Sequence, residues 1–191
     1  GLPVPTAAAG GEFIGPWGRF RSFIAVEELT GMLALHEAVP LAAQRLDPVT
    51  FRRWKRGLIC HMVALARCLH ERRWFHKDFY LCHFYVAEED TGRLPDAWNN
   101  RLRLIDLHRL AQHRWTGLWW QIKDLAQLLY SSDVPGVEVR DRLWFWHLYF
   151  GTARRRRSIR WLRRIILLQA WNYQRRHERR LRRQRRNRES P

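Results

Sequence analysis

The sequence predicts an α+β fold that is mainly helical and holds one central β-hairpin. The longest predicted helix begins at Asp47, which can cap the first turn, with Pro48 at the first helical position. Apolar residues then recur every three or four positions as far as about Arg73. The same spacing predicts two further helices near residues 118–129 and 139–150.

The hairpin is predicted in the middle of the chain. Its first strand, Leu81–Glu88, is rich in aromatic and β-branched residues, and its returning strand, Leu102–Ile105, resumes the apolar pattern. Turn-forming residues fill the interval. Nearer the start, residues 1–19 are rich in glycine and proline and predict a loop, while Phe20–Leu29 has the composition of a short strand.

Positive charge is concentrated at the end of the chain. The formal net charge is +17, and residues 152–191 hold 16 arginines against the two acids Glu178 and Glu189. Guanidinium groups bind phosphate oxygens well, although a solvated arginine-rich tail explains the same composition. The apolar run Ile165–Trp171 is too short to span a bilayer. The three cysteines have no metal-ligand or disulfide spacing, which fits a reducing cytoplasm.

Two carboxylates flank the predicted hairpin. Asp78 lies just before its first strand and Asp106 lies at the end of its returning strand, so an antiparallel return brings them together. One carboxylate can accept a proton from an acceptor hydroxyl while the other holds Mg²⁺, which is what phosphoryl transfer requires. His76, Asp78 and His83 also have the spacing of a kinase catalytic loop. The sequence therefore predicts a phosphotransferase.

Three blocks of sequence resemble one family of kinases. They are residues 76–84 (HKDFYLCHF), residues 104–109 (LIDLHR) and residues 123–132 (KDLAQLLYSS). Together they are similar to the Kdo/WaaP-type lipopolysaccharide kinases, which phosphorylate the core heptose. The likeness covers residues 1 to about 150. It implies a protein-kinase-like fold, mainly the helical C-terminal lobe with the last strands of the small lobe and a catalytic β-hairpin.

The resemblance implies roles for the matching residues. Asp78 would be the base that accepts the proton of the sugar hydroxyl, and Asp106 would be the main metal ligand. Asp124 would be structural and accept hydrogen bonds from the backbone of the loop that carries Asp78. The implied cofactors are ATP and Mg²⁺, with Mn²⁺ as another possible metal. The hinge that meets adenine would be formed by Glu27, Glu28 and Leu29.

His83 stands where typical protein kinases place an asparagine that binds Mg²⁺. Imidazole nitrogen is a poorer ligand for Mg²⁺ than oxygen. Three roles for His83 are therefore open: orienting Asp78, contacting phosphate, or binding a softer metal such as Mn²⁺. His76 is expected to support the loop by packing and hydrogen bonding. The seven other histidines share no metal-ligand spacing and are expected on the surface or in the core.

The parts of a kinase that grip the phosphates of ATP are missing from this sequence. The glycines of residues 1–19 lack the Gly-x-Gly-x-x-Gly spacing, and the first lysine, Lys55, falls inside a predicted helix. Because the sequence does not begin with Met, we expect further chain upstream that carries the glycine-rich loop and the strand lysine. The alternatives are a weakly active relative and a pseudokinase scaffold.

We expect three segments. Residues 1–29 would be a remnant of the small lobe with strands and hinge, residues 30–152 the kinase-like C-terminal lobe, and residues 153–191 an Arg-rich amphipathic helix and basic tail. Residues 154–188 suit an anionic membrane surface, although the same helix can pack its apolar side on the lobe. Beyond Arg175 we expect a frayed end. This organisation predicts a cytoplasmic protein, peripheral at the inner face of the inner membrane, with a lipopolysaccharide core sugar as acceptor.

A nucleic-acid-binding protein is the rival interpretation from another class. The net charge of +17 and the tryptophans that adjoin arginines suit the phosphate backbone of RNA or DNA. This interpretation explains the basic tail but gives the two carboxylates of the hairpin no purpose. The sequence indicates no particular oligomeric state.

Overall fold

The fold is that of a computed structural model, which describes residues 3–98, 100–151 and 157–189. In these ranges the helices are α1 (Leu35–Arg45), α2 (Pro48–Glu71), α3 (Gly117–Ser131), α4 (Val139–Phe150) and α5 (Arg157–Glu189). The strands are β1 (Ala7–Ile14), β2 (Phe20–Val26), β3 (Met32–Ala34), β4 (Trp74–Phe75), β5 (Phe84–Ala87), β6 (Arg103–Leu104) and β7 (Ala111–Gln112). The α+β prediction is confirmed.

Helix α2 is the central element of the core. Asp47 caps its N-terminus by accepting hydrogen bonds from the backbone N–H of Val49 at 2.9 Å and of Thr50 at 3.1 Å. The helix ends at Glu71, close to the predicted end. Its apolar stripe faces the core as the periodicity predicts, and the buried residues of that stripe are Trp54, Leu58, Met62, Leu65 and Leu69.

The predicted central hairpin is present. Strands β5 and β6 pair antiparallel, with Phe84 opposite Leu104. The first strand is shorter than predicted because Leu81–His83 forms a 3-10 turn. A segment of three residues, such as strand β3, is too short to be predicted as a strand from its sequence. Strand β3 pairs with the other edge of β5, which gives the strand order β3-β5-β6. The strand that follows Asp78 therefore lies in the centre of the sheet.

The loop predicted for residues 1–19 is interrupted by β1, so that prediction is wrong there. Strand β1 pairs antiparallel with β2 in a separate hairpin, and β2 confirms the strand predicted at Phe20–Leu29. Glycine usually weakens a strand, which is why the segment reads as a loop. In this hairpin, however, a Cβ on Gly11 would lie 2.5 Å from Cε1 of Phe23. The glycine leaves room for an aromatic ring from the partner strand.

The periodicity does not predict helix α1. Pro40 lies inside the helix, where proline lacks the N–H that would bond to the preceding turn. The helix still forms because one of its faces packs into the core, and tertiary packing outweighs a local breaker. The buried residues of that face are Leu35, Ala38, Val39 and Ala42.

The three helices predicted after the hairpin are present as α3, α4 and α5. Helix α5 lies against α3 and buries Leu162, Ile166 and Ala170 in the common core. Of the two arrangements expected for this segment, packing on the lobe is the one observed for its first half. The helix continues past Arg175 to Glu189, so the expected fraying is wrong there, and the strong helix propensity of arginine explains why. In the basic segment, which comprises residues 152–191, residues 152–156, 190 and 191 lie outside the described residues.

Several surfaces expose large apolar side chains, and two of them are formed by the β1–β2 hairpin and by α5. On the hairpin, Phe13 and Trp17 face solvent. On the side of α5 that points away from α3, Trp161, Leu168 and Trp171 are exposed. Within the described ranges, no helix has both the length and the apolar character needed to cross a bilayer.

Candidate functional site

The two aspartates that flank the hairpin are linked through His83, which contacts the backbone of one and the carboxylate of the other. Asp78 lies in residues 76–83, called the Asp78 loop below, and Asp106 follows β6. Nδ1 of His83 is 2.6 Å from the backbone oxygen of Asp78, and its Nε2 is 3.5 Å from Oδ2 of Asp106. The backbone N–H of Ile105 donates to the backbone oxygen of His83 at 3.0 Å. The hairpin therefore brings Asp78, His83 and Asp106 to one end of the sheet.

His76 is buried beside this cluster. Its Nε2 is 2.9 Å from the backbone oxygen of Ile105, which ties the Asp78 loop to the residue before Asp106. Burial lowers the pKa of His76 below its ordinary value, so the imidazole is neutral near pH 7 and Nε2 is the donor in this hydrogen bond. Its Nδ1 is buried without a hydrogen-bond partner. These contacts suit a residue that supports the loop.

Asp124 is fully buried in α3 and holds the backbone of the Asp78 loop. Its carboxylate accepts hydrogen bonds from the backbone N–H of His76 and of Lys77, both at 2.9 Å. Its Oδ2 also lies 3.3 Å from Nε2 of His70, whose Nδ1 is 2.6 Å from the hydroxyl of Tyr149. Burial raises the pKa of Tyr149, so this hydroxyl keeps its proton. The backbone contacts are those that the resemblance implies, and the histidine and tyrosine extend them into α2 and α4.

Two further side chains of α3 hold the same loop, and neither is among the residues predicted from the sequence. Gln127 accepts a hydrogen bond from the N–H of Phe79 at 3.0 Å and donates to the backbone oxygen of Lys77 at 2.9 Å. Ser131 accepts one from the N–H of Leu81 at 2.8 Å. A signal was available, because polar residues spaced by three and four positions share one helix face. Polar residues on a face that is otherwise apolar indicate a buried hydrogen-bonding role.

Lys77 and Asp106 both have a left-handed backbone, with φ of 69° and 62°. For a residue other than glycine this conformation costs about 1–2 kcal/mol. At Lys77 the cost is offset because its N–H and its carbonyl are both bound by side chains of α3. The strained positions precede or coincide with the two carboxylates, so the backbone that sets their direction is fixed by its surroundings.

Each carboxylate has a charged or titratable neighbour that the sequence analysis does not assign to the site. Nη1 of Arg109 donates to Oδ1 of Asp78 at 2.9 Å and to Oδ2 at 2.8 Å. Nδ1 of His108, a residue expected on the surface or in the core, forms a hydrogen bond with Oδ1 of Asp106. Both residues lie in the 3-10 turn that follows Asp106. They belong to the LIDLHR block, but no spacing rule reveals that Arg109 folds back onto Asp78.

The donor atoms near Asp106 suit a Mg²⁺ ion that is bound partly by its substrate. Among the described residues, no group of three or more His, Cys, Asp or Glu side chains could hold a metal ion. Mg²⁺ commonly takes one or two carboxylates and completes its shell with phosphate oxygens and water. The Asp106 carboxylate is 34% exposed and can serve this way, whereas the nearby His83 offers a nitrogen that Mg²⁺ binds poorly. The residues present therefore fit Mg²⁺ that arrives with a nucleotide.

The predicted hinge connects β2 to β3. The side chains of Glu27 and Glu28 are exposed and that of Leu29 is half-buried. The N–H of Glu27 donates to the backbone oxygen of Thr6 at 2.9 Å, and the backbone oxygen of Leu29 accepts from the N–H of Met32 at 3.3 Å. The segment thus joins the β1–β2 hairpin to the sheet that positions the two carboxylates.

Comparisons with known sequences agree on one family. The sequence profile of the lipopolysaccharide kinase (Kdo/WaaP) family matches residues 1–149. The lipopolysaccharide core heptose(I) kinase WaaP of Pseudomonas aeruginosa is 34% identical over 150 residues, which are 78% of this chain and 54% of the relative. The protein of the same name from Escherichia coli K12 is 33% identical over 135 residues, 71% of this chain and 49% of the relative. The chain thus spans about half the length of the curated relatives it matches.

A solved structure agrees with the sequence comparisons. The structure of WaaP in complex with acyl carrier protein superimposes with a TM-score of 0.67 at 31% sequence identity, covering 88% of this chain and 70% of that chain. The range matched by the family profile contains Asp78, His83, Asp106 and Asp124, whereas the whole of the basic segment follows it. The chain therefore belongs to the lipopolysaccharide kinase (Kdo/WaaP) family.

Proposed function

We propose that this chain forms the catalytic part of an ATP-dependent kinase that phosphorylates a heptose hydroxyl of the lipopolysaccharide core. The observation that carries the proposal is the meeting of Asp78, His83 and Asp106 at one end of the hairpin. The heptose acceptor is taken from the WaaP relatives, which are named core heptose(I) kinases. A fold does not choose an acceptor by itself, so the acceptor needs a direct test.

Asp78 is the proposed base. Its carboxylate would accept the proton of the heptose hydroxyl as that oxygen attacks the γ-phosphorus of ATP. Arg109 binds both oxygens of Asp78, and each oxygen keeps a further lone pair that can accept a hydrogen bond from the acceptor hydroxyl. The guanidinium of Arg109 would also place positive charge beside the transferred phosphate, where it stabilises the transition state. Arg109 thus orients the base before the acceptor arrives.

Asp106 is the proposed metal ligand. When bound there, Mg²⁺ would neutralise the phosphate oxygens of ATP during transfer. His83 and His108 contact different oxygens of the Asp106 carboxylate. Because His83 also binds the backbone of Asp78, we propose that it positions the two carboxylates relative to each other. His76 is buried and supports the same loop through its hydrogen bond to the backbone of Ile105.

Glu27, Glu28 and Leu29 are the proposed hinge, whose backbone would pair with the adenine of ATP. The three lysines of the chain lie in α2, in the Asp78 loop and in α3. A lysine that reaches the phosphates from a strand of the small lobe is therefore not among them. Among the residues of this chain, the hinge and the carboxylate end of the hairpin would contact ATP.

Phosphate transfer to a core acceptor tests the proposal. The full-length protein is assayed with labelled ATP and with lipopolysaccharide from a strain that lacks phosphate on its core heptose. Asp78→Asn and Asp106→Asn should each lower kcat by at least about 100-fold, because each removes a group used in the transfer step. Asp96→Asn, which changes an exposed carboxylate elsewhere, should leave kcat unaltered. Transfer that survives both substitutions would contradict the assignment, and no transfer by the unaltered protein would favour a pseudokinase scaffold.

The role of His83 is tested by changing the metal. His83→Asn is compared with the unaltered protein in titrations with Mg²⁺ and with Mn²⁺. If His83 only positions the carboxylates, kcat falls while the ratio of the two metal affinities is unchanged. A shift of preference from Mn²⁺ towards Mg²⁺ would instead place His83 among the metal ligands, because asparagine replaces a nitrogen donor with an oxygen donor.

We propose that the outer face of α5 binds an anionic membrane surface. Helix α5 packs on the lobe through one face, which leaves Trp161, Leu168 and Trp171 exposed among arginines on the other. Such a helix can lie in the interface of a bilayer while it remains attached to the domain. The protein would then sit at the cytoplasmic face of the inner membrane, beside a lipid-linked acceptor.

We also propose an acyl carrier protein as a protein partner. The similar solved structure is of WaaP in complex with acyl carrier protein. The net charge of +17 would favour an acidic partner. Co-purification of the full-length protein with acyl carrier protein, lost on raising the salt concentration, is the expected result, whereas separate elution at low salt would contradict it.

A further inference from the structure

Two of the three lysines of this chain converge on one tryptophan ring beside the Asp78 loop. Nζ of Lys77 lies 4.9 Å from the ring centroid of Trp120, and Nζ of Lys123 lies 4.8 Å from the same centroid. Lys77 immediately precedes Asp78, while Lys123 and Trp120 lie in α3. The third lysine, Lys55, is buried elsewhere and paired with Asp141. The cluster of Lys77, Lys123 and Trp120 is called the lysine–tryptophan cluster below.

Neither ammonium group of this cluster has an acidic partner in the part of the chain that the structure describes. The acids nearest in sequence are already bound, since Asp78 is paired with Arg109 and Asp124 accepts backbone N–H groups. Cation–π contacts stabilise each ammonium but do not neutralise it. Two like charges held near one ring repel each other, and an anion bound between or beside them would relieve that repulsion.

The cluster is oriented by the same bonds that place Asp78. The left-handed backbone of Lys77 is fixed by Asp124 at its N–H and by Gln127 at its carbonyl. The direction of the Lys77 side chain is therefore coupled to the direction of the Asp78 side chain, because the two residues are adjacent on this fixed backbone. Lys123 precedes Asp124 on the same helix, so both lysines are attached to the element that supports the loop.

Aromatic groups extend the surface around the two charges. Trp120 is half-buried and stacks on His113, with ring centroids 5.0 Å apart. Trp119 is 55% exposed and Trp115 is 98% exposed. A tryptophan ring offers a flat apolar face to the C–H side of a sugar, while lysine offers ion pairs to a carboxylate or phosphate. The combination suits a saccharide that carries negative charge.

We propose that the lysine–tryptophan cluster is an acceptor subsite that binds an anionic sugar or sugar phosphate of the acceptor, next to the hydroxyl that meets Asp78. This inference rests on the proposed kinase function and adds to it the group that positions the acceptor. Binding of the anion on Lys77 and Lys123 would hold the neutral sugar over Asp78, which gives specificity for a charged saccharide rather than for a free neutral one.

Steady-state kinetics of lysine variants test the subsite. In the full-length protein, Lys123→Gln and Lys77→Gln should each raise the KM for the lipopolysaccharide acceptor roughly fivefold, and the double variant by more than roughly tenfold. The KM for ATP should not change. Arg53→Gln, which removes an exposed positive charge from α2, should change neither constant. Because Lys77 adjoins the base, the KM measured for Lys123→Gln carries the test.

Chemically altered acceptors identify the anion. One acceptor has its phosphates removed and another has its sugar carboxylates reduced to alcohols. If the subsite binds phosphate, only the dephosphorylated acceptor should have a raised KM, and Lys123→Gln should no longer change that KM. If the subsite binds carboxylate, the same two results should be seen only with the acceptor whose carboxylates are reduced. Equal KM values for Lys123→Gln and the unaltered protein on the native acceptor would overturn the inference. Absence of any transfer by the unaltered protein would instead defeat the kinase function on which the inference rests.

Discussion

Asp124 makes three contacts from a site with no exposure to solvent. Its carboxylate serves the backbone of His76 and Lys77 and the imidazole of His70. Asp124→Asn replaces one acceptor oxygen with a donor and leaves at least one buried N–H without a partner. We expect the free energy of unfolding to fall by about 2–4 kcal/mol, as measured by urea denaturation.

An exposed aspartate provides the matched control. Asp133 is 75% exposed and pairs with Arg142, so Asp133→Asn should lower the free energy of unfolding by less than about 1 kcal/mol. If Asp124→Asn were as mild as Asp133→Asn, the hydrogen bonds to the Asp78 loop would not stabilise the fold.

The buried His76 predicts a dependence of stability on pH. Burial lowers the pKa of His76 in the folded protein, while the unfolded chain takes up a proton at the ordinary pKa near 6.5. Below about pH 6.5 the unfolded state therefore binds more protons, so the free energy of unfolding falls as the pH drops. Urea denaturation at several pH values from 7.5 to 5.5 should show that the free energy of unfolding decreases with pH, and His76→Gln should make this decrease smaller. His36→Gln, which alters an exposed histidine, should leave it in place.

At the residue scale, sequence patterns predict the two carboxylates of the candidate site. They do not predict the side chains that surround those carboxylates. Asp78 and Asp106 are recognisable because each has a fixed position relative to a strand. Arg109 and His108 contact them through a tight turn whose path depends on the left-handed backbone of Asp106. Hydrophobic periodicity does not predict such a reversal of the chain. The side chains that contact the two carboxylates can therefore be identified only in the folded structure.

At the scale of elements, α3 connects the core to the site. Its apolar face packs on the other helices, while Asp124, Gln127 and Ser131 bind the Asp78 loop. A movement of this helix would therefore move the backbone of the loop. This coupling explains how a loop with little regular structure of its own can hold the proposed base in place.

Helix α5 has two apolar faces with different energetic roles. Leu162 is 6% exposed and packs in the core, whereas Leu168 is 59% exposed. Leu162→Ala should lower the free energy of unfolding by about 2–4 kcal/mol, because it removes buried atoms and leaves a cavity. Leu168→Ala should change it by less than about 0.5 kcal/mol. Thermal or urea unfolding distinguishes them, and equal losses would contradict the packing of α5 on α3.

The elements that sequence patterns predict are those with an undisturbed period. The stripe of α2 and the central hairpin have such periods, and both are present. Strand β1 is not predicted because it contains Gly11, which accommodates the ring of Phe23, and helix α1 is not predicted because it contains Pro40. In both places the element depends on packing against residues outside it, the ring of Phe23 for β1 and the core for α1, so local patterns cannot predict it.

At the scale of the whole molecule, charge and apolar exposure coincide on α5. The basic segment supplies most of the net charge of +17, and Trp161 and Trp171 are exposed on the same helix at positions compatible with one face. The guanidinium of Arg175 lies 4.4 Å from the ring centroid of Trp171. A surface of this kind can bind anionic lipid through charge and apolar insertion together, whereas nucleic acid would need mainly the charge.

Sedimentation with lipid vesicles separates these two partners. The full-length protein should bind vesicles of phosphatidylglycerol and phosphatidylcholine but not pure phosphatidylcholine, and added salt should weaken binding because each arginine near the surface contributes about 1 kcal/mol. Replacing Trp161 and Trp171 together by serine should lower vesicle affinity roughly tenfold, since two apolar groups no longer insert. Trp17→Ser, which alters an even more exposed tryptophan on the β1–β2 hairpin, is the control and should have no effect. Two results would exclude α5 as a membrane-binding surface. One is that the double substitution lowers the affinity for RNA but not the affinity for vesicles. The other is that the double substitution leaves the affinity for vesicles unchanged.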